Sequence, residues 1–458
     1  MVAPAIDTID DGIGRPFQLV IETAFDQPPD DGQIEAVLDG NARANAENEI
    51  DARGRLLFPG FIDGHVHMRD PGHVHKEDFT SGTRAAAVGG VTTVMCMPNT
   101  DPSVDTLTGF DSARAAGEAG AAVDFTLQAA ITRDNATVLD SLWDAGVTSF
   151  ETLMSDAPDR DRLDDPAMLR VAFAEVARLN AIVGVYTGSQ VSLERNIVEL
   201  RTAGRVDVRA LAEARAPDAE VAGIAIAIEA ARATGARVVF RQTSTKAGLE
   251  LLRAAKRAPG GERLFVEATP HHIRLDTGAI DRLGRFAHMV PPLRATQDMN
   301  AAIKALADST IDIVGSDHAP HEEAEKIGAE PWSVPGGTPG LDTIAAAILD
   351  LATQGKITFS RVAETLAATP ARIFGIAHLK GEIRRNLDGD LVLVDIEAER
   401  RVAANMIHSK AKRSVFEGTT LRGWPVLIAQ RGKIIAENGR PVDPPQAGRF
   451  IPRASDHR

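Results

Sequence analysis

The sequence predicts an α/β protein built on a closed (β/α)8 barrel of the TIM type, joined to a small β-domain. Three observations point there. Eight short apolar or β-branched runs alternate with Ala-, Leu- and Arg-rich stretches of helical spacing. The first of those runs ends in His-x-His, at His65 and His67, and the last ends in Asp317-His318. The flanks carry only short strand-like pieces among Asp, Gly and Pro. Pattern alone also admits a doubly wound open sheet.

The strand-like runs cover residues 58–68, 92–98, 123–131, 147–154, 181–187, 237–243, 264–270 and 311–317. Helical spacing is clearest over Phe79 to Val88, Asn135 to Ala145, Pro166 to Leu179 and Ala219 to Thr234. The barrel is expected over residues 58–375. Residues 1–57, with Phe17 to Glu22 and Ile34 to Leu38, and residues 376–440, with Asp390 to Val394, Trp424 to Gln430 and Lys433 to Ala436, are expected to assemble the small β-domain from both ends. The Pro- and Arg-rich tail, 441–458, reads as an arm or a disordered end.

Composition narrows the function classes. The chain has 458 residues, 44 % hydrophobic and 25 % charged, as an ordinary globular protein has. A net charge of −14 argues against nucleic acid or an anionic membrane as the main partner. The single cysteine, Cys96, allows no internal disulfide and fits a reducing compartment. The N-terminus lacks a basic stretch followed by an apolar one, and no apolar run reaches membrane-span length, so a cytoplasmic location is expected.

In a barrel the chemistry lies at the C-terminal ends of the strands. His65, His67, Asn99, Glu151, Tyr186, Gln242 and Asp317 all fall at or near such ends. Residues two apart on a strand share a face, so two imidazoles project together, as a metal pair needs. Such a metal can polarise an amide carbonyl and lower the pKa of a bound water toward 7. Asp317 is the candidate to take that water's proton and pass it to the leaving nitrogen. Its blander reading is a helix N-cap ahead of His318-Ala-Pro.

Several motifs recur in one order: Pro59-Gly-Phe-Ile-Asp-Gly-His-Val-His-Met-Arg-Asp-Pro-Gly72, Lys76-Glu-Asp-Phe79, Gly89-Gly-Val-Thr-Thr93, Met97-Pro-Asn-Thr100, Pro291-Pro-Leu-Arg294 and Ser316-Asp-His-Ala-Pro-His321. Over Glu49 to Gly439 the chain resembles the cyclic amidohydrolases of the amidohydrolase superfamily. It looks most like the dihydroorotases, and less like hydantoinases and allantoinases. The resemblance implies a metal-bearing barrel with a small composite β-sandwich.

The resemblance also implies a ligand set. Two-metal relatives carry a carboxylated lysine at the end of strand four, where this chain has Glu151, a shorter carboxylate. Histidines expected at the ends of strands five and six are replaced by Tyr186 and Gln242. His65, His67, Glu151 and Asp317 thus remain for one metal, expected to be zinc, while the second site is lost. His73 and His75 read as polar loop residues, and His271 and His272 as structural. In dihydroorotases an Arg, an Asn and a His hold the substrate carboxylate, and Arg69, Asn99 and His321 match them. An Arg fork suits a carboxylate bidentately. Val290 stands where relatives often have Asn before Pro-Pro-Leu-Arg.

Three functions are therefore expected in turn. The first is a mononuclear hydrolase of an acidic cyclic amide, interconverting dihydroorotate and N-carbamoyl-aspartate in pyrimidine biosynthesis. The second is a noncatalytic homologue assembled with aspartate transcarbamoylase. The third is a hydantoinase- or allantoinase-type hydrolase of another ring. A homo-oligomer is expected, with a small-molecule substrate.

Overall fold

Residues 2–6, 17–22, 32–39, 50, 52, 54–328, 330–443 and 448–454 are described by the structure, a computed structural model. Eight parallel strands form the barrel: Phe61–Val66, Val91–Cys96, Asp124–Leu127 continued by Ala129–Ala130, Phe150–Leu153, Ile182–Tyr186, Arg237–Phe240, Leu264–Ala268 and Ile313–Val314. A parallel bridge from Val66 to His318 closes the ring between first and last. The order of strands and helices matches the alternation in the sequence.

These strands are buried on both faces, which is why they read as continuous apolar runs rather than alternating ones. Ile62, Met95, Ile182, Val239, Phe265 and Ile313, from six different strands, form one apolar cluster with Phe374. The helices pack outside. Asp78 caps Phe79–Val88 by accepting from the Ser81 amide, and Asp165 caps Pro166–Arg178. Gly235, at φ 72°, ends the helix Pro217–Thr234 in the left-handed conformation that glycine adopts without a Cβ clash.

Several strand limits differ from the sequence reading, three of them for a local reason. The run 58–68 serves two sheets. Leu56–Pro59 pairs with Leu391–Arg401 in the small domain, so Phe58 and Pro59 belong there, and Phe61–Val66 enters the barrel. The joint is Gly60, where a Cβ would lie 2.2 Å from the Thr92 hydroxyl. The third strand breaks at Gln128, whose side chain donates to the Gly64 and Met95 carbonyls. The eighth ends at Val314; beyond it the Ser316 amide donates to the Asp63 side chain rather than to a neighbouring strand, and the backbone turns left-handed at Asp317, φ 48°.

In the small domain an antiparallel sheet joins Leu56–Pro59, Leu391–Arg401, Thr420–Gln430, Lys433–Glu437 and Arg440–Pro441. A three-stranded sheet joins Val2–Ile6, Phe17–Glu22 and Gln33–Asp39. Ile34, Leu57, Leu391, Leu393, Val426 and Ala429 form the core between them. Of the expected tail, residues 448–454 are a packed arm. Phe450 pairs with Phe125 and sits against Phe110, and Ile451 is buried in the cluster around Phe374. Residues 444–447 and 455–458 lie outside the described residues. No helix among the described residues is long and apolar enough to cross a membrane.

Candidate functional site

At the C-terminal end of the barrel, one ligand atom each from His65, His67 and Asp317 lies within 4.8 Å of the others. Each imidazole is held by its Nδ1: that of His65 lies 2.7 Å from Glu267 Oε1, and that of His67 lies 2.7 Å from Asn99 Oδ1. With Nδ1–H donating to those oxygens, each Nε2 is directed at Asp317 Oδ1, 3.5 Å and 3.2 Å away; protonated it donates to that oxygen, and deprotonated it offers a lone pair to an ion. Oriented imidazoles backed by a carboxylate or amide oxygen are the usual support of a metal-ligating pair. The donor set, two nitrogens and a carboxylate with a side open to the cavity, fits one divalent ion.

The backbone makes this arrangement. Asp63 Oδ1 accepts from the amides of His65 (3.1 Å) and Ser316 (3.0 Å), which ties strand one to the end of strand eight. Burial pushes the Asp63 carboxyl up to about 6. Arg69, Gln242 and Asp317 all sit at positive φ, 61°, 49° and 48°. Such conformations cost of order 1–3 kcal/mol each and cluster at functional sites, where the surroundings enforce them.

Electrostatics separate the three groups. Burial alone would raise the Asp317 carboxyl, but the His67 hydrogen bond and the two imidazoles hold it down at about 2. Burial disfavours a charged His65, yet the Glu267 and Asp317 carboxylates outweigh it and hold His65 above the usual histidine range. His67 stays below that range, because burial and Arg69 together exceed the pull of Asp317. Gln242 Nε2 donates to Asp317 Oδ2 at 2.6 Å and fixes the second carboxylate oxygen.

Glu151 does not join this cluster, contrary to the sequence expectation. Both its oxygens are taken by Arg241: Nε reaches Oε2 at 3.0 Å and Nη2 reaches Oε1 at 2.6 Å, and the Ser149 hydroxyl also donates to Oε1. Glu151 borders the same cavity, but its carboxylate is committed to this buried guanidinium and is not among the grouped ligand atoms. Arg241 and Glu267 were missed by sequence reasoning. Their signal was there: each is a lone charge in an otherwise apolar run, Val238-Val-Phe-Arg241 and Leu264-Phe-Val-Glu267. Charges in such runs are rarely buried unless paired.

The expected anion-binding trio does come together on one wall. Arg69 Nη2 lies 3.3 Å from His321 Nε2, and Asn99 borders the same cavity. Arg69 Nε is buried with no hydrogen-bond partner. A buried donor left unpaired is costly. Burial, with Arg69 and Lys76 nearby, pushes His321 down to about 3, so it stands neutral. Asn99 gives its oxygen to His67, which leaves its amide N–H groups for a ligand. These residues line a cavity of about 320 Å³ with His65, His67, Tyr186, Gln242, Val290 and Asp317. That volume suits a small ring compound.

The remaining candidates stand outside this cluster. The Tyr186 hydroxyl donates to Asp156 Oδ2 at 3.2 Å, and Arg215 binds Asp156 Oδ1, so Tyr186 forms a braced wall of the cavity. His272 bonds Thr269 Oγ1 and the Pro291 carbonyl. His271, His73 and His75 lie outside the His65–His67–Asp317 group.

Comparison with known proteins gives a consistent result. A model of the amidohydrolase family matches residues 56–435. The chain is 37 % identical over 412 residues to a dihydroorotase of Halobacterium salinarum, covering 89 % of this chain and 92 % of that one. It is 34 % identical over 428 residues to an allantoinase of Rubrobacter xylanophilus, covering 92 % of each. The structure superposes on an L-hydantoinase (dihydropyrimidinase) from Arthrobacter aurescens with a TM-score of 0.92 at 25 % identity, over 99 % of both chains.

Proposed function

We propose that this chain, which belongs to the amidohydrolase family, is a cyclic amidohydrolase of the dihydroorotase kind that acts on a ring bearing a carboxylate. The observation that carries the carboxylate is Arg69. Its guanidinium faces the cavity beside the His65–His67–Asp317 cluster with Nε unpartnered, next to Asn99 and a neutral His321. The dihydroorotase relatives support the substrate, dihydroorotate in exchange with N-carbamoyl-aspartate.

His65 Nε2, His67 Nε2 and Asp317 would hold a single ion, zinc, leaving a fourth position open. When bound, that ion polarises the amide carbonyl and makes a water acidic enough to attack at neutral pH. The chain's own residues do the rest. Asp317, ionised and steadied by Gln242, takes the water's proton at a carboxylate oxygen and returns it to the leaving ring nitrogen. Arg69 pairs with the substrate carboxylate, and Asn99 donates from its amide. This fixes the ring so that its amide carbon faces the His pair. Tyr186, braced by Asp156 and Arg215, closes the opposite wall against water.

The allantoinase and hydantoinase relatives, with Val290 on the cavity wall, favour a second reading, hydrolysis of a neutral ring. A substrate panel on the zinc-loaded chain decides between them. Turnover of dihydroorotate well above that of hydantoin and allantoin supports the acidic ring. Faster turnover of the neutral rings supports the second reading. No turnover of any of them leaves a noncatalytic assembly role, such as partnership with aspartate transcarbamoylase.

A further inference from the structure

Next to the His65–His67–Asp317 cluster the barrel holds a second group of charges that the mechanism above does not use. Arg241 is 2 % exposed, and its five N–H groups meet five acceptors. Nε and Nη2 bind Glu151, Nη1 binds Glu267 Oε2 and the Gly64 carbonyl, and Nη2 also binds Gln128 Oε1. Below, the guanidinium lies over the Phe374 ring, 5.3 Å from its centre. Glu267 joins the two groups: Oε1 holds His65 Nδ1, and Oε2 holds Arg241.

We infer that Arg241 is a built-in cation that occupies an all-oxygen pocket beside the metal cluster, so that the chain takes one divalent ion and not two. The inference rests on the one-ion reading given under Proposed function. Two carboxylates, an amide oxygen and a backbone carbonyl surround one buried position, all of them oxygen donors that a divalent cation accepts. A guanidinium fills that position instead. It cannot give up its proton, so its charge is permanent. The carboxylates on either side outweigh the cost of burial and hold it more firmly protonated than a free arginine. Its fork is also directional. By holding Glu267 it sets the carboxylate that orients His65, so Arg241 is a positioning residue for the metal ligand as well as a substitute for a second ion.

Two variants of the full chain test this, read by elemental analysis after dialysis against zinc and then against metal-free buffer. Arg241→Ala leaves Glu151, Glu267, Gln128 and Gly64 facing a guanidinium-sized space, and should gain one tightly held ion per chain over the wild type. If that variant folds only when zinc is present, the gain shows as metal-dependent recovery of its circular dichroism, which supports the assignment equally. Arg241→Ala that folds and holds no more metal than the wild type overturns it, as does failure to fold at any zinc concentration. Glu151→Gln keeps Arg241 and a near-native shape. Its zinc content and affinity should match the wild type, because Glu151 serves Arg241 and not the metal; a tenfold or greater loss of zinc affinity overturns the assignment. The wild-type count reports separately on the one-ion reading. Two ions there sink that reading itself, whereas one ion in both wild type and folded Arg241→Ala sinks only the role of Arg241.

Discussion

Asp317→Asn is the substitution whose effect follows most directly from the geometry. Oδ1 faces His65 and His67 at 3.5 Å and 3.2 Å, and Oδ2 accepts from Gln242 at 2.6 Å. Asparagine keeps the shape but has one acceptor oxygen. Turned toward Gln242, it points its NH2 at the two Nε2 lone pairs and occupies the ion's place. Turned the other way, it opposes its NH2 to the Gln242 amide. Either way the chain loses an anionic ligand and its proton carrier. The Asp317 carboxyl falls from 3.8 to about 2 because the His67 hydrogen bond and the nearby imidazoles together outweigh burial, which opposes them. At about 1.4 kcal/mol per unit that is on the order of 2 kcal/mol of stability. The sign follows the depressed value: this stability is present above 3.8 and is lost as pH falls through about 2. A general acid–base group contributes about 10²–10⁴-fold in rate, or roughly 3–5 kcal/mol of barrier. Asp317→Asn should therefore stay folded by circular dichroism, lose zinc, and turn over at least a hundredfold more slowly with zinc in excess. A variant within tenfold of the wild-type kcat would refute the role given to Asp317.

Arg69→Ala should cost about 2–5 kcal/mol in kcat/KM for an acidic ring, as loss of a buried charged partner does, and little for a neutral one; equal losses for both would mean that Arg69 does not read the carboxylate. Lys380 is 2 % exposed and pairs with Asp124, Asp388 and Asp390 at 2.6–2.8 Å beneath the barrel, so Lys380→Met should destabilise the fold by about 3–5 kcal/mol in urea unfolding. A change under about 1 kcal/mol would show that this charge cluster is not a structural anchor. Burial pushes His272 down to about 4, so between about 4 and 6.5 the unfolded chain binds the extra proton and stability falls as pH falls. His65, held above the usual range, acts with the opposite sign, so the readout is a difference: His272→Gln in metal-free protein should show a flatter decline than the wild type over that window. Parallel declines would place His272 in a less buried setting than the one described.

The barrel was legible because its strands are buried on both faces and its helices are amphipathic, so two periodicities alternate along the chain. Strand ends were less legible where function sits. The runs 58–68 and 311–317 overran the ordered strands because each was carried on to the polar motif residues at its end, His67 and Ser316-Asp317, where strand pairing has already stopped. His65, His67 and Asp317 were readable from spacing and motif, and the fold brings them together. Glu151, expected among the metal ligands, pairs with Arg241 in the structure, and the reason is physical. Its position on strand four is fixed by the backbone, but its partner is set by Arg241, two strands away across the barrel. A bidentate pair of this kind carries no local pattern. Arg241 itself was passed over beside Gln242, although a lone arginine in a buried strand must find a carboxylate.

The most direct test is ring opening of dihydroorotate by the zinc-loaded chain, followed by chromatographic separation of N-carbamoyl-aspartate. Interconversion of the two is expected, abolished when a chelator removes the metal and restored when zinc is returned. A metal-replete, folded chain that leaves dihydroorotate and N-carbamoyl-aspartate untouched would contradict the assignment of His65, His67, Asp317 and Arg69 to this reaction.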